Sequence, residues 1–523
     1  MPDSLKITLA QLNQSVGDLA ANAAAMLAAR GRAAAAGADL VVFPELSLIG
    51  YPPEDLVLKP SLIERAAVEL EVLAKATADG GPAMLVGSVF AADGVLYNGM
   101  ALLDGGKVAA LRYKHELPNY GTFDEVRLFH PGPLPEPVPF RGVLLGVPIC
   151  EDIWHPAVCR HLAGRGAEIL LCPNGSPYEI DKDTLRIDGV AKRRAAESRL
   201  ALAYVNRVGG QDELVFDGAS FVVNGDGHLA VQMKVWEEHE VLTRWTRTAR
   251  GWQCDRGELA EPVSQDEDVW SAMVLSLRDY VNRNGFPGVV LGLSGGIDSA
   301  VCAAVAVDAL GPERVWCVML PSRYTSAESL ADAEACARAL GCRLDTIAIA
   351  PAVEAFGTML APAFTGRMAD LTEENLQSRI RGVTLMALSN KFGPMLVTTG
   401  NKSEMSVGYA TIYGDMAGGY NPLKDAYKLT VFAIARWRNA TVPRIGLGPA
   451  GEVIPANIIT KAPSAELRDN QKDADSLPPY EELDPILMGL VEQEKSVEQL
   501  VAEGHDRATV TRIERLLHLA EYK

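Results

Sequence analysis

Three residue types in the first half of the chain could together cleave an amide: a thiol, a carboxylate and an amine, each standing where an apolar run ends. Glu45 follows DLVVFP, Lys114 closes VAALRYK, and Cys150 closes VLLGVPI just before the polar EDIW. A free cysteine has a pKa of about 8.5 and is little ionised at neutral pH, so a nucleophilic role calls for a neighbouring ammonium to lower it. A carboxylate beside the thiol would take its proton and later activate water, while the ammonium would stabilise a tetrahedral oxyanion. Taken singly, the cysteine reads as a small buried hydrophobe and the other two as solvated surface. The chemistry needs all three in one place.

A second centre stands in GVVLGLSGGIDSA. A buried strand runs through Gly292 and Leu293 into Ser294, Gly295 and Gly296, and a helix is expected to begin near Asp298, by way of Ile297 and Ser299. Free backbone N–H groups and the helix dipole then point into the turn, which makes it a phosphate cradle. Glycine lets the backbone approach an anion closely, and the Ser294 and Ser299 hydroxyls could add donors. The pattern GxxxxGK[ST] is absent there, which disfavours transfer of a γ-phosphate by a P-loop.

These residues need strands to carry them. The first half alternates short apolar runs (KITLAQL, DLVVF, AMLVGSVF, VLLGVPI, EILLC, ALAYVNR) with amphipathic stretches at 18–36, 61–78 and 184–199, the pattern of a layered α/β domain. The text weakens after Gly225, and the acidic EPVSQDEDV suggests a junction. We therefore expect domains at 1–250 and 267–523 with a linker at 251–266. The second half restarts with a helix (DVWSAMVLSLRDYVNRN) and then alternates strand and helix from GVVLGL to RLDTIAI, which implies right-handed crossovers and a parallel sheet.

At 523 residues, two bodies are the simplest prior. The 49 Lys and Arg against 67 Asp and Glu, a net charge of -18, disfavour a nucleic-acid or anionic-membrane surface. Anionic substrates must meet local basic pockets. Eight scattered cysteines without a CxxC pair, a start lacking a signal-peptide pattern and no long apolar window lead us to expect reduced thiols in a cytoplasmic protein. His115 and His155 lack ligand-spaced partners, and the first centre needs no metal.

FPELSLIGYPPEDL, YKHELPNYGTFDE and GVPICEDIW together resemble the nitrilase superfamily, and specifically the glutaminase domain of glutamine-dependent NAD synthetases. That resemblance implies an αββα sandwich and a triad of Glu45 as proton acceptor, Lys114, and Cys150 as nucleophile. It implies glutamine contacts at Tyr120, Ser176 and Lys182, and support of the lysine by Glu125. SGGIDS resembles the loop of synthetases that cleave ATP between its α and β phosphates, in a Rossmann-like parallel-sheet ATP pyrophosphatase domain. LPSRYTSAES, EENLQSRIRG, VTTGNKSEMSVGYATIYGDMAGGYNPLKDAYK and ITKAPSAELRDNQKDADSLPPY extend the likeness almost from end to end.

In that reading Asp298 and Glu404 lie near Mg²⁺, and Thr399 touches ATP. Asn375, Arg379, Glu404 and Lys523 lie near the deamido-NAD site, and Lys461 and Ser464 belong to a loop that closes over the phosphates. Without the family, isolated Lys424, Lys428 and Lys461 read as solvated. Relatives often continue past EYK into a basic tail, which leaves the part played by Lys523 open. The implied reaction amidates deamido-NAD with glutamine and ATP, carrying ammonia between the two centres through a protected passage, and the families involved imply a homo-oligomer. GMP and asparagine synthetases share the loop but are usually joined to other glutaminase types. A non-catalytic nucleotide-binding regulator would lack a reason to keep every reactive residue.

Overall fold

Side chains alternate across a strand, so a strand buried on both faces must serve two cores. Along Leu40-Val41-Val42-Phe43, Leu40 and Val42 belong to one apolar cluster while Val41 and Phe43 belong to another. Ile169 and Leu171 likewise divide from Leu170 and Cys172. The computed structural model, which describes residues 3–468 and 471–523, shows why. The first unit, ending at Gln265, stacks two sheets. One has seven strands in the order Gly251–Cys254, His239–Thr248, Ser4–Gln11, Leu40–Val42, Ala83–Ala92, Val95–Asp104, Lys107–Tyr113. The other has six, in the order Leu229–Gln232, Phe221–Val223, Ala201–Asn206, Ile169–Asn174, Val143–Gly146, Val138–Phe140.

The inner faces of both sheets contribute to one core, with Leu9, Leu40 and Leu85 from the first and Leu145, Leu171 and Ala203 from the second. Helices Leu19–Ala35 and Pro60–Ala76 cover the outer face of the first sheet through Met26, Ala66 and Leu73. Helices Pro156–Gly164 and Lys192–Ser198 cover the second through Val158, Leu162 and Ala195. The layers are α, β, β, α, as the resemblance to the nitrilase superfamily implies.

The residues expected to form a linker open with a strand. Gly251–Cys254 pairs antiparallel with His239–Thr248, Trp245 opposite Cys254, and Trp252 and Cys254 fill the core between the sheets. The structure thus carries the first unit to Gln265, and the helix Gln265–Arg283 follows directly.

The second unit is built on four parallel strands in the order Arg343–Thr346, Val315–Met319, Val289–Gly292, Met395–Leu396. Val289, Leu291 and Cys317 face helices Gln265–Arg283 and Ile297–Leu310. Val290, Trp316 and Val318 face helix Leu371–Phe392. Helices on both faces leave the carboxyl ends of the strands as the open edge, where ligands bind in such sheets. A further cluster joins helices Tyr480–Leu487, Val497–Ala502 and Arg507–Ala520.

Candidate functional site

Strands Leu40–Val42, Lys107–Tyr113, Val143–Gly146 and Ile169–Asn174 each run out into a residue of the first centre, so the sandwich gathers Glu45, Lys114, Cys150 and Gly175. Glu45 and Lys114 are each 1% exposed and Cys150 is 3% exposed. The Lys114 ammonium bridges two carboxylates, 2.6 Å from Glu45 Oε1 and 2.8 Å from Glu125 Oε1. Asn98 Nδ2 donates to Glu45 Oε1 (2.7 Å), and the Gly175 N–H donates to Glu45 Oε2 (2.9 Å). Tyr51 donates to Glu125 Oε1 (2.9 Å). A side chain at Gly175 would come within 2.9 Å of the Tyr51 ring, so glycine is what lets this amide reach the carboxylate.

One ammonium faces two buried carboxylates. Burial pushes the Glu125 carboxyl up to about 7, against the pull of Lys114. For Lys114, burial alone would lower the pKa, but Glu125 and Glu45 outweigh it and hold the ammonium well above its ordinary value. The thiol departs from expectation. Burial, reinforced by the Glu45 charge, pushes Cys150 well above the usual thiol range, and Lys114 offsets only part of this. Burial therefore favours the thiol over the thiolate here, and the Lys114 charge, shared between two carboxylates, does not reverse this.

Cys150 has φ 46°, a left-handed conformation that costs a non-glycine residue on the order of 1 kcal/mol. Asp152 holds this turn in place. Its Oδ2 accepts from the Ile149 N–H (2.9 Å), and its Oδ1 accepts from the N–H groups of His115 (3.1 Å) and Glu116 (2.8 Å). One buried carboxylate thus ties the nucleophile's turn to the end of the lysine's strand, a role with no signature in the residue order.

The expected glutamine contacts lie on two walls. Tyr120 is 54% exposed and donates to Glu151 Oε2 (2.9 Å). Its ring meets Phe123 edge to face at 5.5 Å, and Lys182 sits 5.8 Å from the Phe123 ring while pairing with Glu179. Ser176 is buried next to Gly175, its N–H donating to Asn206 Oδ1 (3.0 Å).

In the second unit, helix Ile297–Leu310 begins with no side chain capping Gly296, so its first amides remain available to an anion. Gly295 has φ 79°, and a Cβ there would lie 2.2 Å from the Ser329 carbonyl oxygen. No other residue type fits this position. Ser299 Oγ donates to the Gly296 carbonyl (3.0 Å) and lies 3.1 Å from Ser294 Oγ. Ser299 thereby braces the loop.

A cleft of about 500 Å³ opens here, lined by Gly292, Leu293, Ser294, Gly296, Ile297, Asp298 and Ser299, with Thr399, Glu404, Lys428, Lys461 and Ser464 among its other walls. Lys461 pairs with Asp332 (2.7 Å), and Ser464 donates to the Gln471 carbonyl. Asn375, Arg379 and Lys523 do not line this cleft. They converge instead on one loop: Asn375 Oδ1 accepts from Thr411 Oγ1 (2.9 Å), Arg379 Nε donates to the Ile412 carbonyl (3.2 Å), and Lys523 Nζ donates to the carbonyls of Gly408 (2.5 Å) and Ala410 (2.7 Å).

Lys428 overturns its sequence reading. It is 1% exposed, with Nζ 2.6 Å from Asp298 Oδ2 and 2.8 Å from Glu404 Oε1. Asn401 donates to Asp298 Oδ1 (2.9 Å), and Tyr480 donates to Glu404 Oε1 (3.2 Å). Burial pushes Glu404 up to about 7 despite Lys428. Among the described residues no three His, Cys, Asp or Glu side chains gather closely enough to hold a metal by themselves. Two carboxylates beside a phosphate cradle nevertheless fit Mg²⁺, which binds through one or two carboxylates and completes its shell with substrate phosphates and water.

A buried thiol with its base and ammonium, and a nucleotide cradle at the open end of a parallel sheet, together define an amide-cleaving carbon-nitrogen hydrolase joined to an ATP-using synthetase. Residues 6–247 match the carbon-nitrogen hydrolase family and residues 269–523 match the NAD synthase family. The chain is 54% identical to a glutamine-dependent NAD(+) synthetase of Rhodobacter capsulatus, across all of this chain and 94% of that one. It is 47% identical to that of Xanthomonas campestris, across 99% and 93%. The solved glutamine-dependent NAD+ synthetase of Acinetobacter baumannii, in complex with adenosine diphosphate, superposes with a TM-score of 0.83 at 40% identity, covering 98% of this chain and 93% of that one. This chain belongs to the glutamine-dependent NAD(+) synthetases.

Proposed function

We propose that the chain amidates deamido-NAD to NAD, taking nitrogen from glutamine and driving the step with ATP. The observation that carries this is the Glu45–Lys114–Glu125 cluster against the Cys150 thiol, in a chain that also holds the uncapped SGGIDS helix. Cys150 Sγ attacks the side-chain amide carbon of glutamine as Glu45 takes the thiol proton. Lys114 stabilises the oxyanion. The proton passes to the departing nitrogen, ammonia leaves, and a thioester remains. Glu45 then draws a proton from water, which hydrolyses the thioester to glutamate and restores the thiol.

In the second unit the nicotinate carboxylate attacks the α-phosphorus of ATP and pyrophosphate departs, its charge met by the uncapped amides at the start of helix Ile297–Leu310 and by Lys461. Ammonia then displaces AMP from the acyl adenylate. Asp298 and Glu404 would hold Mg²⁺, which would supply charge neutralisation on the phosphates. Lys428 keeps those two carboxylates together and orients them. With amide-¹⁵N glutamine, mass spectrometry should find the label in the nicotinamide group of NAD. Unlabelled NAD, or labelled products from XMP or aspartate in its place, would overturn the assignment.

A homo-oligomer is supported by one surface of the second unit. Helix Ala350–Leu360 contributes no buried residue, and Phe356, Met359, Phe364, Met368 and Leu371 lie exposed in and after it, side chains that a second copy could cover. Light scattering should return at least twice the mass of one chain. A monomer at micromolar concentration would refute this part of the reading. Among the described residues no helix is long and apolar enough to cross a membrane.

A further inference from the structure

Arg186 is 1% exposed and commits its whole guanidinium to the segment that carries Gly175. Nε donates to Ser176 Oγ (3.1 Å), and Nη2 donates to the carbonyl oxygens of Ser176 (2.9 Å) and Pro177 (2.7 Å). Nη1 faces both oxygens of Asp217, at 2.9 and 2.7 Å. Five contacts match the five N–H groups a guanidinium possesses. Asn206 grips the same segment, accepting from the Ser176 N–H and donating to the Ser176 carbonyl, each at 3.0 Å. Arg186 lies in a π-helical stretch, Leu185–Ala191, an uncommon conformation that is frequent at functional sites.

What this clamp fixes is the peptide next door. The Gly175 N–H holds Glu45 Oε2 while Lys114 and Asn98 hold Oε1, so the direction of the base depends on where Gly175 is held. Ser176, an expected glutamine contact, is held by the same fork. We propose that Arg186 is a positioning residue for the glutamine half of the reaction, acting through Ser176 and Gly175 to aim the Glu45 carboxylate at the Cys150 thiol. This rests on the assignment of Cys150 as nucleophile.

A buried ion pair that merely stabilises the unit would behave differently under a conservative change. Arg186→Lys keeps the charge opposite Asp217 but loses the planar fork to Ser176 and Pro177. In the full-length enzyme it should lower kcat for glutamine hydrolysis by roughly 10- to 100-fold, the usual effect of losing an orienting partner, and displace the pH profile of glutamine kcat/KM. Synthesis from ammonium chloride should stay within about twofold, since that centre shares no partner with Arg186. Wild-type kcat, KM and pH profile would overturn the proposal, as would equal loss of the glutamine and ammonia activities with an unchanged profile. Should Arg186→Lys fail to fold, Asp217→Asn carries the test with the same criteria, because it weakens the anchor and keeps the fork. Cys150→Ala is run beside them. If it still uses glutamine, the nucleophile assignment has failed; if it does not while Arg186→Lys matches wild type, only the positioning role has failed.

Discussion

Alanine at position 150 is expected to remove glutamine-dependent NAD synthesis, by on the order of 10⁴-fold or more, and to leave synthesis from ammonium chloride within about twofold. No other group can replace the thiol. Cys159 and Cys172 are buried in the cluster on the outer face of the second sheet, and burial holds both thiols above their ordinary range. The asymmetry follows from the two-unit organisation, because the nucleotide cleft draws all its lining from residues 292–473. Serine at position 150 should be nearly as inactive. The thiol already rests protonated, and a hydroxyl holds its proton more firmly still, so Glu45 would be too weak a base to generate the nucleophile. Glutamate release and NAD formation, each measured with both nitrogen sources, decide the matter. Glutamine use surviving in Cys150→Ala, or ammonia use lost with it, would remove the basis for the mechanism.

The second large effect is expected at Asp298. Asparagine there should lower NAD formation from glutamine and from ammonia alike by roughly 10²- to 10³-fold, the range seen when a preorganised charge at a reacting centre is removed. Asp298 is the carboxylate on the first turn of the cradle helix, it shares Lys428 with Glu404, and Asn401 orients its other oxygen. Neutralising it leaves Lys428 with Glu404 alone and halves the carboxylate set offered to Mg²⁺. The first unit should be untouched: Cys150 alkylation by iodoacetamide should proceed at the wild-type rate, which also shows that this unit is folded. Pyrophosphate release reads the loss directly. Full synthesis in Asp298→Asn would show that the cradle works through its backbone amides and Lys428, without this carboxylate.

Much of this was legible in the order of residues. Strand ends could be placed because DLVVF, VAALRY and VLLGVPI are continuous apolar runs closed by turn or polar residues, and the carboxyl ends of such strands do meet. The SGGIDS loop was legible for the same reason, as a buried strand running into glycines and a helix. What could not be read depends on burial and on distant partners. Lys428 reads as one more solvated lysine until the chain folds its ammonium between Asp298 and Glu404, residues 130 and 24 positions away. Asp152 and Arg186 are likewise ordinary charges in sequence, their partners set by strand register. The thiol runs against expectation because its burial, which depends on the packed sandwich, outweighs the pull of the adjacent lysine. Gly251–Cys254 was read as linker because four residues opening on glycine carry no periodicity of their own; the strand exists because His239–Thr248 offers it an edge.

The bridged ammonium of Lys114 has a consequence for how the first centre meets its environment. Held between Glu45 and Glu125, whose charges raise its pKa well above the ordinary value, it holds its proton too firmly to be a good acid for the leaving nitrogen. It is a fixed counter-ion, doing by covalent attachment what an exchangeable cation does elsewhere, and no chelator or change of salt can strip it from the chain.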